Sequence, residues 1–529
     1  MTMIAKTGAG FDIVLLTADY YDDHPFSPAG VIARVLDAKG YKVGIIEQPE
    51  TEEDFTRLGA PKLCFCVTSG SVDSMVNNYT PLKKKRVGDR HSSVTKMPDK
   101  AVIVYCNGIK RHFKSSTIVI GGIEASLRRF AHYDYWDNNV RCSILLDSRA
   151  DILVYGNGEK QAIEIADRLR DRKDLRGIRG TCILSRTVDA NFGMLPSFKE
   201  VKEDKLKFCQ MQVAFSNYKN QAQEYENNYV LQYRYPDYTT EDLDWIYSLG
   251  YTRKLHPHSP LKMAKFSVVT HRGCIGGCNF CSIALHQGDE IISRSEANIL
   301  KEIKGLTKHQ DFKGYIDDFG GPSANMYGMD CEKRCGESCW RCTDLDRSHR
   351  RLISLLRKAR AIPGVKKIFV RSGIRYDLAL DSEEYIKELS EHHISGTLKI
   401  APEHFSGEVL RLMNKDNSRF DKFVDLFNSL NKGKKQTLRY YIMIGHPGDD
   451  EGQVKLLGEK LARLRNIEHF QLFTPTPMTV SSCMYWTGLN PFTLEKVKVV
   501  YDYHTKKKMK RILLEYIKES HSEDMLAWE

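Results

Sequence analysis

Short apolar segments alternate with amphipathic segments along residues 1–195 of this chain. Residues 11–16 are a compact apolar run, as in strands that are buried on both faces of a sheet. Residues 27–40 have helical spacing, because Ile32, Val35 and Leu36 fall on one face. Strands that alternate with helices form parallel α/β sheets, and the pattern predicts such a sheet. The other predicted strands are 43–46, 62–67, 101–105, 117–120 and 151–155.

The order of these segments predicts several domains, as expected for 529 residues. We expect a flavodoxin-like or Rossmann-like domain over residues 1–195 and a polar, aromatic-rich connector over 196–260. A second α/β region is predicted over 261–490, and a helical extension over 491–529 with a lysine-rich helix at 493–519. The strands predicted for the second region are 266–269, 315–319, 367–371, 397–400 and 439–444.

The composition indicates a cytoplasmic protein. No apolar stretch reaches the ~18 residues that span a bilayer, and the first ten residues lack the pattern of a signal peptide. In a reducing compartment the 14 cysteines are not expected to form a disulfide framework. Seven of them fall between Cys274 and Cys342, and clustered cysteines in such a compartment favour metal binding.

The strongest local motif follows the first predicted strand of the second region. Cys274, Cys278 and Cys281 have C-x3-C-x2-C spacing, in a loop that carries Gly273, Gly276 and Gly277. Cysteine thiolates hold iron–sulfur clusters, and three of them would leave one iron of a [4Fe–4S] cube without a protein ligand. Structural zinc sites usually show paired C-x2-C units instead. The motif therefore predicts a [4Fe–4S] cluster with one open iron.

A second group of cysteines lies about fifty residues further along the chain. Cys331, Cys335, Cys339 and Cys342 have C-x3-C-x3-C-x2-C spacing. Four thiols suit either a closed tetrahedral zinc site or a second Fe–S cluster. The spacing does not distinguish zinc from iron, so both interpretations stay open.

The chain resembles the YgiQ-type family of uncharacterised radical S-adenosylmethionine (SAM) proteins. The segments that carry the resemblance are 20–25, 121–136, 271–288, 320–327, 399–404 and 473–480. The resemblance implies a partial (β/α)6 barrel in the second region. It also implies an enzyme that binds a 4Fe–4S cluster and cleaves SAM reductively to a 5′-deoxyadenosyl radical. The substrate, and any catalytic residue beyond the cofactor site, stay unknown.

The resemblance also suggests which residues touch SAM. Gly320 and Gly321 would present their backbone to the methionine amino group, although Pro322 follows where many members have Glu. Arg371 and Ser372 would touch the ribose or the carboxylate, and Glu403 would lie at the end of a later strand. The turn that begins with Ile444 and Gly445 is similar to the turn after the sixth strand, beside adenine, in methylthiotransferase-like members.

Three further functions stay open. The first is that of a cobalamin-dependent radical methylase, because glycine turns at 121–122 and 156–158 follow strands of the first domain, where α/β sheets bind ligands. The second is that of an RNA methylthiotransferase-like enzyme. The third is that of an Fe–S-stabilised RNA-binding protein, suggested by the net charge of +11. The substrate would accordingly be a small molecule or RNA, the electron donor a flavodoxin or ferredoxin, and no membrane partner is expected.

Overall fold

The computed structural model describes residues 2–86, 97–331, 333, 339–464 and 467–520. The chain forms two compact units. The first comprises Met1–Lys265 and Leu285–Gly288, and the second comprises Phe266–Ala284 and Asp289–Glu529. No helix in the described part of the chain is both long enough and apolar enough to span a bilayer.

The first unit is built on a nine-stranded sheet with the order β2-β1-β3-β4-β7-β8-β11-β10-β9. Its first five strands, β2-β1-β3-β4-β7, are parallel. If these five are counted in chain order, their spatial order is 2-1-3-4-5, which is that of a flavodoxin-like sheet. β5 and β6 form a separate antiparallel pair. β8 is antiparallel to both β7 and β11. The strands are β1 (Ile13–Thr17), β2 (Val43–Glu47), β3 (Cys64–Thr68), β4 (Thr117–Gly121), β5 (His132–Asp134), β6 (Asn139–Arg141), β7 (Ile152–Val154), β8 (Thr181–Ser185), β9 (Gly193–Met194), β10 (Gln221–Tyr225) and β11 (Asn228–Gln232).

Helices lie between these strands and close the core of the unit. The first begins after Ser27, whose hydroxyl caps it by accepting from the Gly30 amide. The helices are α1 (Pro28–Ala38), α2 (Glu52–Thr56), α3 (Ser74–Asn78), α4 (Ala101–His112), α5 (Ile123–Ser126), α6 (Ile144–Asp147), α7 (Glu159–Arg170), α8 (Phe198–Glu203), α9 (Lys205–Ala214) and α10 (Thr240–Tyr247).

Two predictions for this unit are wrong. Residues 101–105 form the start of α4 rather than a strand, and the buried Ala101, Tyr105 and Ile109 recur at the four-residue spacing of a helix face. The segment 196–260 is not merely a connector, because it supplies α8, α9, β10 and β11. Its polar composition concealed these strands, since buried glutamines such as Gln223 and Gln232 bond to backbone carbonyls.

The segment 121–136, which carries much of the family resemblance, lies in the core of this unit. The Glu124 carboxylate accepts from the amides of Ser74 and Val102. Arg128 forms a buried ion pair with Asp73, and the fully buried Arg129 donates to Gln232 and stacks on an aromatic ring. Each of these buried charged side chains makes hydrogen bonds within the unit, so the motif has an architectural role.

The second unit has six parallel strand positions side by side in chain order, each followed by a helix. Parallel pairing joins the first position to the second, the second to the third, the fourth to the fifth, and the fifth to the sixth. A parallel bridge between Ile374 and Ile400 joins the third to the fourth. The strands are β12 (Val268–Val269), β13 (His271–Arg272), β14 (Ile292–Ser293), β15 (Tyr315–Ile316), β16 (Phe319–Gly320), β17 (Lys367–Ile368), β18 (Thr397–Glu403), β19 (Thr437–Ile444) and β20 (Ile467–Leu472).

This arrangement confirms the partial (β/α)6 barrel. The helices are α11 (Ile283–Gln287), α12 (Glu296–Leu306), α13 (Arg350–Arg360), α14 (Tyr376–Ala379), α15 (Glu383–Glu388), α16 (Gly407–Met413), α17 (Phe420–Leu430), α18 (Glu451–Leu461), α19 (Val480–Thr487) and α20 (Tyr503–Ser520). Short helical turns occur at Cys339–Arg341 and Leu389–His393, and another, Lys262–Phe266, lies where the first unit gives way to the second. Most of α11 falls in the first unit, which includes Leu285–Gly288.

Two features of this unit differ from the predictions: the strand that the Ile444 turn follows, and the start of the C-terminal helix. The turn after Ile444 follows the fifth strand position and not the sixth, because β20 is parallel to β19 and completes the array. The C-terminal helix begins at Tyr503, ten residues later than predicted. Pro491 lies two residues before the start of the predicted helix, and residues 493–502 form a turn, an isolated bridge at Lys496 and irregular chain instead.

Candidate metal centre

The loop after β13 carries all three cysteines of the predicted cluster motif. Cys274, Cys278 and Cys281 are each half-buried, and the Cys281 amide donates to the Cys278 carbonyl to close a turn. Gly277 has a φ of +59°, which side chains rarely adopt. A Cβ at Gly276 would lie only 2.9 Å from Nη1 of Arg375, so a side chain there would displace that guanidinium.

The end of α16 clamps this loop. The Asn279 amide donates to the Met413 carbonyl at 3.0 Å, and its side chain donates to the Leu412 carbonyl at 2.9 Å. Asn414 caps the helix in the left-handed region and donates to the Gly277 carbonyl at 2.8 Å. The loop is therefore held from one side by a rigid helix end.

The electrostatics of the three thiols suit a cluster. Burial raises the pKa of Cys274, and burial together with the neighbouring Cys278 raises the pKa of Cys281 to about 12. The sulfur atoms lie close enough for their thiolate charges to repel one another. Iron would offset that repulsion by binding them as thiolates, so the donor set fits an Fe–S cluster.

The predicted glycine pair lies beside this loop at the end of β16. The Gly320 carbonyl accepts from the Thr270 amide at 2.8 Å. A Cβ at Gly321 would lie 2.6 Å from Nε2 of His271, so Gly321 is also required by packing. His271 is fully buried and its Nε2 has no hydrogen-bond partner, and burial lowers its pKa to about 4.

The third strand position contributes a residue that the sequence pattern did not reveal. Arg371 and Ser372 donate their amides to the Asp318 carboxylate, and the Arg371 guanidinium stacks on Phe369. Arg375 instead reaches the cysteine loop, where it donates to the Gly276 carbonyl at 3.3 Å. In the sequence, Arg375 stands out only as part of an Arg-x-Asp pattern three residues after Ser372. Only the fold shows that its side chain contacts the cysteine loop.

Glu403 ends β18 beside a β-bulge and has a φ of +66°. Bulges and left-handed non-glycine residues concentrate at functional sites. The carboxyl group is buried, its Oε2 has no hydrogen-bond partner, and its Oε1 lies 4.0 Å from Nζ of Lys415. Burial raises its pKa, and its charge contributes to the raised pKa of Cys281.

The turn after β19 also reaches the cysteine loop. Ile444 is fully buried, and the Gly445 amide donates to the Asp449 carboxylate at 2.7 Å. The His446 ring lies edge-on to Phe280, with the ring centroids 6.3 Å apart. The turn after β19 therefore contacts the cysteine loop through His446 and Phe280. Gly321 packs against His271, which precedes the loop, and Glu403 acts electrostatically on Cys281.

The second cysteine group falls partly outside the described residues, because Cys335 is not described. Cys331 is exposed, whereas Cys339 and Cys342 are half-buried. Cys339 packs against the same apolar cluster as Cys274. In the parts of the chain that the structure describes, no group of three or more His, Cys, Asp or Glu side chains has the geometry of a single-ion site.

The carboxyl ends of β1, β3, β4 and β7 meet at one edge of the first sheet. Gly122 and Gly156 have left-handed backbones there, and a Cβ at either would lie 2.3 Å from a side chain of the same unit. At the switch point between β1 and β3, the Asp19 carboxylate accepts from the amide and hydroxyl of Ser71. The helical segment 285–288 belongs to this unit too, with His286 3.0 Å from the Ser126 hydroxyl.

Three family models match the chain in succession. They are Radical SAM N-terminal over residues 2–270, the Radical SAM superfamily over residues 268–461, and a domain of unknown function (DUF3362) over residues 468–525. The cysteine loop lies in the second match, near its start.

Curated relatives match almost the whole chain. A UPF0313 protein of Methanocella arvoryzae is 43% identical over 96% of this chain and 90% of the relative. A UPF0313 protein of Clostridium botulinum is 43% identical over 96% of this chain and 84% of the relative.

Two solved structures share the fold at low sequence identity. The radical SAM methyltransferase TsrM from Kitasatospora setae, solved with cobalamin and a [4Fe–4S] cluster, has a TM-score of 0.56 and 15% identity over 90% of this chain and 79% of that one. The cobalamin-dependent SAM radical enzyme OxsB, solved with aqua-cobalamin, has a TM-score of 0.50 and 12% identity over 96% of this chain and 56% of that one.

Proposed function

This chain belongs to the radical SAM superfamily and, within it, to the UPF0313 family, and from that premise we propose that Cys274, Cys278 and Cys281 hold its [4Fe–4S] cluster. The protein is a radical SAM enzyme whose reaction is unassigned. The observation that carries the proposal is the clamped loop that holds three half-buried thiols, near enough for Cys274 and Cys278 to raise the pKa of Cys281.

When bound, the cluster supplies one electron to the SAM sulfonium, and cleavage of a carbon–sulfur bond then yields methionine and a 5′-deoxyadenosyl radical. Radical SAM enzymes need an external electron donor, and we propose a flavodoxin or a ferredoxin. The side chains of Asn279 and Asn414 hold the cysteine loop against the end of α16. Apolar side chains, among them Ile275 and Met326, pack against Cys274.

We propose that Glu403 binds the positively charged part of SAM. SAM carries a sulfonium and an ammonium group, and the position after Gly321 is occupied by Pro322, which has no charge. Glu403 is a buried carboxyl at the end of a barrel strand, and it has an oxygen without a partner. A buried, unpaired acid in a strained backbone is typical of a ligand site.

The remaining SAM contacts stay predictions. Gly320 and Gly321 would approach the methionine end through their backbone, and the turn at Ile444 and Gly445 would lie beside adenine. Arg371 and Ser372 have weaker support, because their described contacts run to Asp318 and Phe369. The predicted second metal site at Cys331, Cys335, Cys339 and Cys342 stays open between zinc and iron, and metal analysis of a variant lacking the first three cysteines tests it.

The test of the proposed function is anaerobic reconstitution of the full chain with iron and sulfide. We expect an oxygen-sensitive [4Fe–4S] spectrum and slow release of 5′-deoxyadenosine from SAM in the presence of dithionite. Cys278→Ala should abolish that release, whereas Cys483→Ala, a buried thiol elsewhere in this unit, should not. If SAM neither perturbs the EPR signal of the reduced cluster nor is consumed, the proposal is wrong.

We also propose that the first unit binds a corrinoid at the carboxyl ends of its parallel strands. Its strand order is that of a flavodoxin-like sheet, whose ligands bind at the switch point. TsrM and OxsB, which share the fold, were both solved with cobalamin. Asp22 and Asp23, in the segment after β1, already accept hydrogen bonds within the unit, Asp22 from Ser259 and Asp23 from Arg34 and Thr252.

Titration of the full chain with hydroxocobalamin tests this proposal. We expect a visible spectral change and co-elution on gel filtration. Ser71→Trp, at the switch point, should block binding, whereas Ser115→Trp, near the opposite end of β4, should not. An unperturbed spectrum with no co-elution would show that the sheet serves only as a scaffold.

The same experiments distinguish a radical methylase from the two RNA-directed functions. Cobalamin binding favours a radical methylase over an RNA methylthiotransferase-like enzyme. RNA binding without SAM cleavage would favour an Fe–S-stabilised RNA-binding protein, a function that membership in an enzyme superfamily does not support. We propose a cytoplasmic location, because a reducing compartment keeps thiols free for metal.

A further inference from the structure

The guanidinium group of Arg375 lies directly against the cysteine loop. Nη1 donates to the Gly276 carbonyl at 3.3 Å and makes a long hydrogen bond of 4.0 Å to Sγ of Cys278. The side chain is only 12% exposed. A positive charge is thus held next to one of the three thiols, shielded from most of the solvent.

Three neighbours fix this charge in place. Asp377 pairs with the guanidinium through both carboxylate oxygens, and the Trp340 ring lies 5.4 Å from its centre. Asn325 accepts from the Arg375 amide at 2.8 Å and donates to its carbonyl at 3.0 Å. The backbone and the side chain are therefore both anchored independently of any ligand.

The glycine at position 276 shows that this approach is built into the loop. Any Cβ there would fall within 2.9 Å of Nη1 of Arg375, closer than such atoms can sit. A side chain at this position would therefore push the guanidinium away from the place where it contacts the loop.

We propose that Arg375 and Asp377 together set the reduction potential of the cluster held by Cys274, Cys278 and Cys281. Reduction adds one electron, and therefore one negative charge, to the cluster and its thiolates. The Arg375 charge stabilises that added charge, and the Asp377 carboxylate opposes it, because charge and hydrogen bonds at the sulfur atoms tune Fe–S potentials. Both are positioning residues and neither ligates iron. The inference rests on the proposed cluster.

The two residues make predictions of opposite sign. Arg375→Gln removes the cation and should lower the midpoint potential, so that the ratio of reduced to oxidised cluster at a fixed potential falls at least tenfold, which is 59 mV for a one-electron couple. Asp377→Asn removes the opposing charge and should raise the ratio. Arg375→Lys keeps the charge and should change it least.

An EPR-monitored redox titration of the reconstituted full chain with dithionite measures all three variants. Iron content per chain is measured alongside, and Arg350→Gln, an exposed arginine of the same unit, is the matched control. Equal midpoints in Arg375→Gln, Asp377→Asn and the control would overturn the inference. If Arg375→Gln fails to retain iron, the Asp377→Asn midpoint decides, and an unchanged value overturns the inference.

Failure of the proposed function looks different. In that case the unsubstituted protein itself shows no reducible [4Fe–4S] signal after reconstitution. A normal signal in the unsubstituted protein, with midpoints that do not follow the charge, refutes only the role of Arg375 and Asp377.

Discussion

We expect Glu403→Gln to weaken SAM binding strongly while leaving the fold almost unchanged. The Glu403 carboxyl has one buried oxygen without a partner, and its nearest described cation, Lys415, is 4.0 Å away and donates to the Ala401 carbonyl. The carboxylate therefore makes little contact that the amide of glutamine would lose. We expect the free energy of unfolding to change by less than about 1 kcal/mol, the scale of one ordinary hydrogen bond.

The loss in binding is larger because the contact to SAM would be charged. A hydrogen bond to a charged group contributes about 1.5–3 kcal/mol, and 1.4 kcal/mol corresponds to about tenfold in affinity. Glu403→Gln should therefore raise the Kd for SAM by roughly 10- to 100-fold. The charge lost also contributes to the raised pKa of the Cys281 thiol, so iron content must be checked in the same samples.

Anaerobic equilibrium dialysis with SAM measures the affinity, and denaturant unfolding measures the stability. Glu408→Gln is the matched control, because Glu408 is exposed on the first turn of α16, five residues further along the chain. A Kd within about twofold of the control at equal iron content would refute the reasoning. A loss of several kcal/mol in stability would instead assign Glu403 a structural role.

Three further outcomes follow from described contacts. Asn414→Gly keeps the left-handed backbone but removes the hydrogen bond to the Gly277 carbonyl. Losing about 1 kcal/mol of loop stabilisation should speed the release of iron to a chelator about fivefold. An unchanged rate would show that this hydrogen bond does not hold the loop. Asp23→Asn breaks a buried pair with Arg34 and should destabilise the first unit by about 3–5 kcal/mol in thermal or denaturant unfolding. Burial alone would raise the pKa of Glu388. Hydrogen bonds from His393 and Arg357 instead lower this pKa from 4.5 to about 2. Glu388→Gln should thus cost about 1–3 kcal/mol at pH 7, and the difference from the unsubstituted protein should shrink as the pH falls from 4.5 towards 2.

Several features of the fold could be predicted because they depend on local patterns. The apolar runs near residues 13 and 43 are strands, and Ser27 starts the helix between them. The helix at Ala101–His112 was missed because its first five residues are all apolar or aromatic, and a short apolar run does not distinguish a strand from a helix. The strands at residues 221–232 were missed because their polar side chains find partners only within the folded unit.

The sequence by itself was enough to identify the cysteine motif, because the spacing of the three cysteines is set within a short segment. It was also enough to identify the family, because the resemblance depends only on the order of the residues. Only the tertiary structure decided which distant residues join that loop. Arg375 lies about one hundred residues from Gly276 in the chain, and its approach follows from the neighbouring positions of the parallel strands. The same holds for Glu403, which follows a bulge in β18 and whose charge contributes to the raised pKa of Cys281. Such contacts depend on strand order and register, which no local pattern of residues contains.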